Sequence, residues 1–174
     1  SDVATHFVSQ ESERERVFFD GETQKHSVNI RWGLSPQWEL SARIPSIKHN
    51  GGFVDSYVNR WHDFFGMSDG GRSTLSEDQI RFQFDGVEQQ GLLDRSVSGQ
   101  GDTTVELSYV SERQHELQIT YAVGYKASTG SSDRWLGSGA NDLYGVTRFS
   151  GAHQGNLPLY WHGQFGVTRV GQSA

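Results

Sequence analysis

Apolar and polar residues alternate strictly along much of this chain, and no other sequence feature constrains its fold as strongly. In the longest run every second residue is apolar: Leu117, Ile119, Tyr121, Val123 and Tyr125. Successive side chains of a β-strand point to opposite faces of a sheet, so this run predicts a strand with one apolar and one polar face. Its length of about ten residues is what a tilted strand needs to cross a bilayer.

Shorter alternating runs occur along the rest of the chain and are separated by turn sequences. They cover residues 23–32, 38–44, 80–84, 103–109, 142–150 and 159–170, with a weaker first run at 3–10. Hairpin spacing without βαβ units predicts about eight antiparallel strands. We also predict a turn at Asp20-Gly21, a break in central pairing at Pro45, and loops over residues 89–100 and 128–139.

The polar sides of these runs carry both charge signs and many amides. They comprise Asn29, Arg31, Glu39, Arg43, Arg81, Gln83, Glu106, Glu116, Gln118, His162 and Gln164. Such residues suit the lumen of a barrel and equally the solvated outside of a sandwich. Trp32 and Trp38, on either side of one turn, lie at the lipid headgroups in the first case and in the core in the second.

One stretch, residues 53–65, has helical rather than strand periodicity. Its apolar residues recur at spacings of three and four: Phe53, Val54, Tyr57, Val58, Trp61, Phe64 and Phe65. The role we favour is a cover over the sheet that buries Phe53, Tyr57, Trp61 and Phe64; the alternative is a lid, plug or membrane-contacting element. If a ligand binds there, the candidate residues are Phe53, Tyr57, Trp61, His62, Phe64 and Arg72.

Composition argues against several function classes. The net charge of −6 comes without a basic stripe, which argues against nucleic-acid binding. There is no cysteine, and no apolar run approaches the 18 residues of a membrane-spanning helix. Seven histidines show no ligand spacing, and we expect them to be exposed or singly hydrogen-bonded. We therefore predict no metal site, no cofactor, no catalytic residue and no enzymatic activity.

A family resemblance adds to this interpretation. The segments DGETQKHSVNIRWGLSPQWELSARIP (residues 20–45) and GGFVDSYVNRWHDFFGMSDGGR (residues 51–72) resemble an uncharacterised Gram-negative bacterial family, domain of unknown function 3187. The resemblance extends over about residues 3–170. It implies an outer-membrane β-barrel without an established activity, and because members of that family are longer, it implies a fragment of a longer barrel.

Together these features predict one all-β domain over residues 1–174. We expect an antiparallel up-and-down barrel, or barrel-like sheet, of about eight strands with one inserted amphipathic helix near residues 53–65. The predicted function is an outer-membrane barrel, a small pore or an anchor, in contact with outer-membrane lipid. The alternative is a soluble periplasmic β-domain that binds a small apolar or lipidic ligand under the helix. Open strand edges would make a partial barrel form homo-oligomers.

Overall fold

The computed structural model describes residues 1–12, 14–51, 55–68, 79–87, 90–111, 117–154 and 158–172. Its strands are β1 (Asp2–Glu11), β2 (Arg16–Gly33), β3 (Trp38–Asn50), β4 (Arg81–Asp85), β5 (Gln90–Leu93), β6 (Val97–Gln100), β7 (Thr103–Val110), β8 (Leu117–Ala127), β9 (Asp142–Gln154) and β10 (Pro158–Arg169). One helix, α1, spans Asp55–Phe65. The prediction of an all-β fold is confirmed.

The strands form one sheet in the order β10-β9-β8-β7-β3-β2-β4-β5, with β1 paired to β2 and β6 paired to β3. Neighbours whose register is defined run antiparallel, as predicted. There are ten strands rather than about eight. Within the described residues this path is not closed into a ring.

The chain divides into two compact units. Unit 1 comprises Ser1–His26, Ser46–Gly99 and Asp133–Leu136, and unit 2 comprises Ser27–Pro45, Gln100–Ser132 and Gly137–Ala174. Strands β2 and β3 contribute residues to both units.

Unit 1 contains a small apolar core. Its buried members are Phe82, Leu93, Val97 and Leu136, and Phe19, Ile47, Ile80 and Trp135 pack against them. Phe82 lies at the centre, with the rings of Phe19 and Trp135 at 5.6 and 6.2 Å from its own. Residues 128–139 do lie outside the strands, as predicted, but Trp135 and Leu136 from this loop are core residues.

A chain of hydrogen bonds joins two histidines to this core. Nε2 of His49 donates to the carbonyl oxygen of Trp135 at 3.0 Å, which leaves Nδ1 of that ring as the acceptor. The Thr23 hydroxyl therefore donates to Nδ1 of His49, at 2.8 Å, and accepts from Nε2 of His6, at 3.0 Å. The expectation of exposed or singly bonded histidines is thus wrong for His49, which is buried and has two partners.

His6 is one source of pH dependence in unit 1. Burial, and then the nearby imidazole of His49, lower the pKa of His6 below its ordinary value of 6.5. Because the unfolded chain takes up this proton more readily, we expect the stability contributed by neutral His6 to be present above pH 6.5 and lost as the pH falls through the folded pKa. NMR titration of the ring protons checks the pKa. Urea unfolding between pH 7 and 5 checks the stability, and His6→Gln should flatten the profile.

The Asp20-Gly21 turn prediction is wrong, because both residues lie inside β2. Gly21 has a φ of +145°, and a Cβ there would lie 2.9 Å from the carbonyl oxygen of Asn50. The glycine therefore serves a close backbone approach within the strand rather than a hairpin.

Two other local predictions also fail. Residues 89–100, predicted as a loop, contain β5 and β6, and strands of four residues are too short to show alternation. Pro45 does not end β3. Its missing N–H is tolerated because β3 changes partner there: residues Trp38–Arg43 pair with β7, and β6 pairs with β3 as well. The Pro45 carbonyl still accepts from the Gly101 N–H at 2.8 Å.

The inserted helix does not bury its aromatic side chains. Tyr57, Trp61 and Phe64 are exposed, so their predicted burial against the sheet is wrong; Phe53 lies outside the described residues. The rings pack along the helix instead, with Trp61 and Phe65 at 4.4 Å and Phe64 and Phe65 at 4.9 Å. Among the described residues, no helix has the length and apolar character needed to cross a membrane.

Candidate functional site

The polar face of unit 2 lines an open cavity of about 970 Å³. Six strands contribute to it, because the antiparallel registers bring their polar rows side by side. The lining residues include Asn29, Arg31, Glu39, Ser41, Arg43, Thr104, Glu106, Ser108, Thr120, Tyr144, Arg148, Gln164 and Thr168. Hydroxyl, amide and charged groups of both signs therefore share one surface.

Glu106 is the most fully bonded charged residue of this surface. Its two carboxylate oxygens accept from Nη1 and Nη2 of Arg148 at 2.9 and 2.8 Å, which is the paired geometry a guanidinium prefers. The Tyr144 hydroxyl donates to the same carboxylate at 3.0 Å. The side chain of Glu106 is only 15% exposed. We call Glu106, Tyr144 and Arg148 the carboxylate triad.

The carboxylate triad reaches across a strand, because Glu106 lies on β7 whereas Tyr144 and Arg148 lie on β9. Gly124, on the intervening β8, pairs with both Glu106 and Tyr144 in register. A Cβ on Gly124 would overlap the phenol ring of Tyr144. The absence of a side chain at Gly124 is therefore what lets Tyr144 lie over β8 and reach Glu106.

Two further arginines line the cavity. Arg31 donates from Nε to Glu39 at 2.9 Å and forms an exposed ion pair with it. Arg43 donates from Nε to the side-chain oxygen of Asn29 at 3.0 Å. Within the described part of the chain, Arg43 forms no ion pair, although its charge is among the causes that lower the pKa of Glu106.

The opposite face of the same strands is apolar and faces outward. Its exposed residues are Val28, Ile30, Trp32, Trp38, Val105, Leu107, Tyr121, Val123, Tyr125, Leu143, Phe149, Leu159, Trp161, Phe165 and Val167. Val123, on the central strand β8, is 60% exposed, and Phe165 is 69% exposed. Monomeric soluble proteins rarely expose a contiguous apolar surface of this kind.

Aromatic residues follow one level of this apolar face. Trp38 pairs with Tyr109, at 5.0 Å between the rings, and Tyr109 pairs with Tyr121 on the next strand. Elsewhere on the face, a Cβ at Gly151 would overlap the ring of its cross-strand partner Trp161. The Trp161 ring thus occupies the space that a side chain at Gly151 would need.

We expect the carboxylate triad to stabilise the fold measurably. Glu106→Gln leaves one acceptor oxygen, turns the other position into an NH2 donor that cannot accept from Arg148 or Tyr144, and removes the counter-charge of Arg148, so the free energy of unfolding should fall by about 2 kcal/mol. Urea unfolding followed by tryptophan fluorescence measures this. Glu39→Gln is the matched control, since it breaks an exposed pair that contributes less than about 1 kcal/mol. Equal losses in the two variants would contradict the assignment.

The ligand-binding residues that the sequence predicts and the structure describes do not line the cavity of unit 2. Tyr57, Trp61, His62 and Phe64 belong to α1 in unit 1, and the structure brings them together only as a stretch of neighbouring helical side chains. Nδ1 of His62 is buried and finds no hydrogen-bond partner among the described residues. Phe53 and Arg72 lie outside the described part of the chain.

The polar rows were identified from the sequence, but two key members of the cavity were missed. Tyr144 and Arg148 belong to residues 142–150, where Val146 interrupts the polar row and Gly145 and Thr147 interrupt the apolar one. An uninterrupted alternation over residues 142–150 would have assigned Tyr144 and Arg148 to the polar face. Their register opposite β8 is what places them beside Glu106.

The cavity offers ion pairs, hydroxyls and amides, which suit a water-filled interior or the binding of a polar solute. Across the described segments, no group of three or more histidine, aspartate or glutamate residues is placed to hold a metal ion. The molecule is thus an antiparallel β-protein whose sheet combines a polar, charged cavity surface with an exposed apolar surface.

The chain belongs to the family described as protein of unknown function (DUF3187), whose model matches residues 1–174. No curated protein and no solved structure is significantly similar to it. The resemblance inferred from residues 20–72 is confirmed at the level of the family.

Proposed function

We propose that this protein is an outer-membrane β-barrel component in which the apolar face of unit 2 contacts lipid and the polar face borders a water-filled interior. The observation that carries the proposal is the outward exposure of the apolar face, in particular Val123 and Phe165. A transmembrane barrel has this arrangement, with apolar residues toward lipid and polar residues toward the lumen. A soluble sandwich buries such a face.

Strand length supports the proposal. Strands β8, β9 and β10 have 11, 13 and 12 residues, and a tilted strand needs about 9 to 11 to cross the hydrocarbon core. The aromatic level formed by Trp38, Tyr109 and Tyr121 fits a girdle at the lipid headgroups. The exposure of Trp32 and Trp38 favours this position over the core position that a sandwich would give them.

Lipid contact can be tested with brominated lipids. The folded chain is mixed with vesicles of phosphatidylcholine brominated on its acyl chains, which quench tryptophan fluorescence only at close range. We expect strong quenching that falls when Trp32 and Trp38 are both replaced by phenylalanine. Trp135→Phe is the control, because Trp135 packs in the core of unit 1 and should contribute little to quenching.

The contrary result is equally clear. A chain that folds cooperatively in buffer without detergent, stays monomeric and shows no quenching by brominated lipid would exclude the proposal. Its apolar face would then have to be covered by something other than lipid.

The strand edge at β10 leads to a second expectation. Among the described residues, β10 pairs with β9 alone, so the backbone groups on its other side are open. Unpaired backbone groups cost several kcal/mol each in hydrocarbon. We therefore propose that β10 pairs with a strand of a second copy when the chain is in lipid. Cross-linking between cysteines placed at Gln164 of two copies would detect that pairing, and its absence in membranes would count against it.

The alternative function, a soluble periplasmic domain that binds an apolar or lipidic ligand under the helix, has less support. It requires Tyr57, Trp61 and Phe64 to enclose a ligand, whereas these side chains point to solvent. The detergent-free arm of the lipid experiment tests this alternative as well.

A further inference from the structure

The cavity of unit 2 has the opposite charge from the chain that forms it. Three arginines, Arg31, Arg43 and Arg148, line it against two glutamates, Glu39 and Glu106. Among the described lining residues, positive charges therefore exceed negative ones by one, whereas the whole chain has a net charge of −6. Charge of one sign on a concave surface attracts solutes of the other sign.

The positive charge can be assigned to one residue. Arg148 is held by both oxygens of Glu106, and Arg31 is paired with Glu39. Arg43 uses Nε for the neutral side-chain oxygen of Asn29, so its two terminal nitrogens remain available on the cavity surface. Within the described residues it is the only cavity arginine that lacks an ion pair.

Glu106 lies on the same face as Arg43 and feels its charge, but its ion pair is with Arg148. Arg43 pairs with Thr104 in register, two residues before Glu106 on β7. Glu106 already accepts three hydrogen bonds from Arg148 and Tyr144. The hydrogen bonds of Glu106 thus go to Arg148 and Tyr144, and the terminal nitrogens of Arg43 have no hydrogen-bond partner among the described residues.

We propose that Arg43 is an anion-binding residue of the cavity and that it takes a soluble solute bearing a carboxylate or phosphate group. A guanidinium presents paired N–H donors that match the oxygens of such groups. Thr104 and Ser41, which line the cavity close to Arg43 in sequence and register, supply further hydroxyl donors. This inference deepens the proposed function, since it gives the water-filled interior a preference for anionic solutes.

Titration with inorganic phosphate tests the inference directly. Isothermal titration calorimetry is run on the full chain, folded in whichever medium, detergent micelle or buffer, gives a cooperative melt. We expect saturable binding that Arg43→Gln weakens about tenfold or more. Arg43→Lys should retain part of the affinity, because it keeps the charge and loses the paired donors.

Arg81→Gln is the matched control. Arg81 lies on β4 in unit 1, where its guanidinium bonds to the side chain of Gln83. Replacing Arg81 with glutamine should therefore leave the affinity for phosphate unchanged. Absence of saturable binding to the wild-type chain would overturn the inference, as would equal losses in the Arg43 and Arg81 variants. Repeating the titration with micelles that contain phosphatidylglycerol distinguishes a lipid headgroup from a free anion: binding to that lipid alone would overturn the claim of a soluble solute.

Lipid quenching and phosphate binding together distinguish a missing anion site from a protein that does not contact lipid. A chain whose tryptophans are quenched by brominated lipid but which binds no phosphate is a membrane protein without the anion site. A chain that binds phosphate through Arg43 but is not quenched has the site on a protein outside the membrane.

Discussion

Replacing Phe82 with alanine will lower the free energy of unfolding of unit 1 by about 3 to 5 kcal/mol, the usual cost of removing a buried phenylalanine. Phe82 is 5% exposed, and its ring meets four others edge-on or tilted: His6, Phe19, His49 and Trp135. Strands β2, β4 and the 128–139 loop all reach this ring, so a cavity there loosens each of them. Urea unfolding monitored by circular dichroism measures the loss.

Phe64→Ala is the control for this substitution. It removes the same atoms from a ring that is 82% exposed on α1, so a change of less than about 0.5 kcal/mol is expected. Similar losses for the two variants would show that the aromatic cluster around Phe82 is not the core of unit 1.

A charge placed on the apolar face of unit 2 will have a large effect only in lipid. Phe165 lies near the middle of β10 and faces outward. Phe165→Lys should cost about 2 to 4 kcal/mol in a bilayer, as lysine does on the lipid face of a barrel. On a protein in water the same substitution at an exposed site changes stability by less than about 0.5 kcal/mol. Unfolding in vesicles of phosphatidylcholine, measured with urea, separates these outcomes.

The adjacent residue provides the matched control. Gln164 points to the polar face of the same strand and lines the cavity, so Gln164→Lys should be tolerated in the same vesicles. Equal tolerance of lysine at 164 and 165 would mean that neither face of β10 meets lipid.

Most of the strands could be predicted from sequence because a two-residue period is a direct consequence of β geometry. The prediction worked where each strand is long and one face is uniformly apolar, as in residues 117–125. It failed at β5 and β6, which are too short to show a period, and at Gly21, where a glycine needed for a close approach resembled a turn. Local sequence also could not show that Trp135, in a Gly/Ser-rich loop, packs beside Phe82.

The candidate site was predictable only in part. Arg31, Arg43, Glu39 and Glu106 could be assigned to a common polar face, but which arginine pairs with which glutamate depends on the register of separate strands. Arg148 reaches Glu106 across 42 residues of sequence and one intervening strand. The helix was misjudged for a related reason: an apolar stripe shows that a surface can be buried, and the stripe alone does not identify what covers it.

The bridge that the carboxylate triad makes over Gly124 also bears on how the sheet reaches its final alignment. A one-residue slip of β8 would put a bulky side chain in the place of Gly124 and turn every side chain of that strand to the wrong face. Tyr144 could then no longer reach Glu106. Three strands must therefore be correctly aligned before the bridge can close, so its hydrogen bonds stabilise only the correct alignment of β7, β8 and β9.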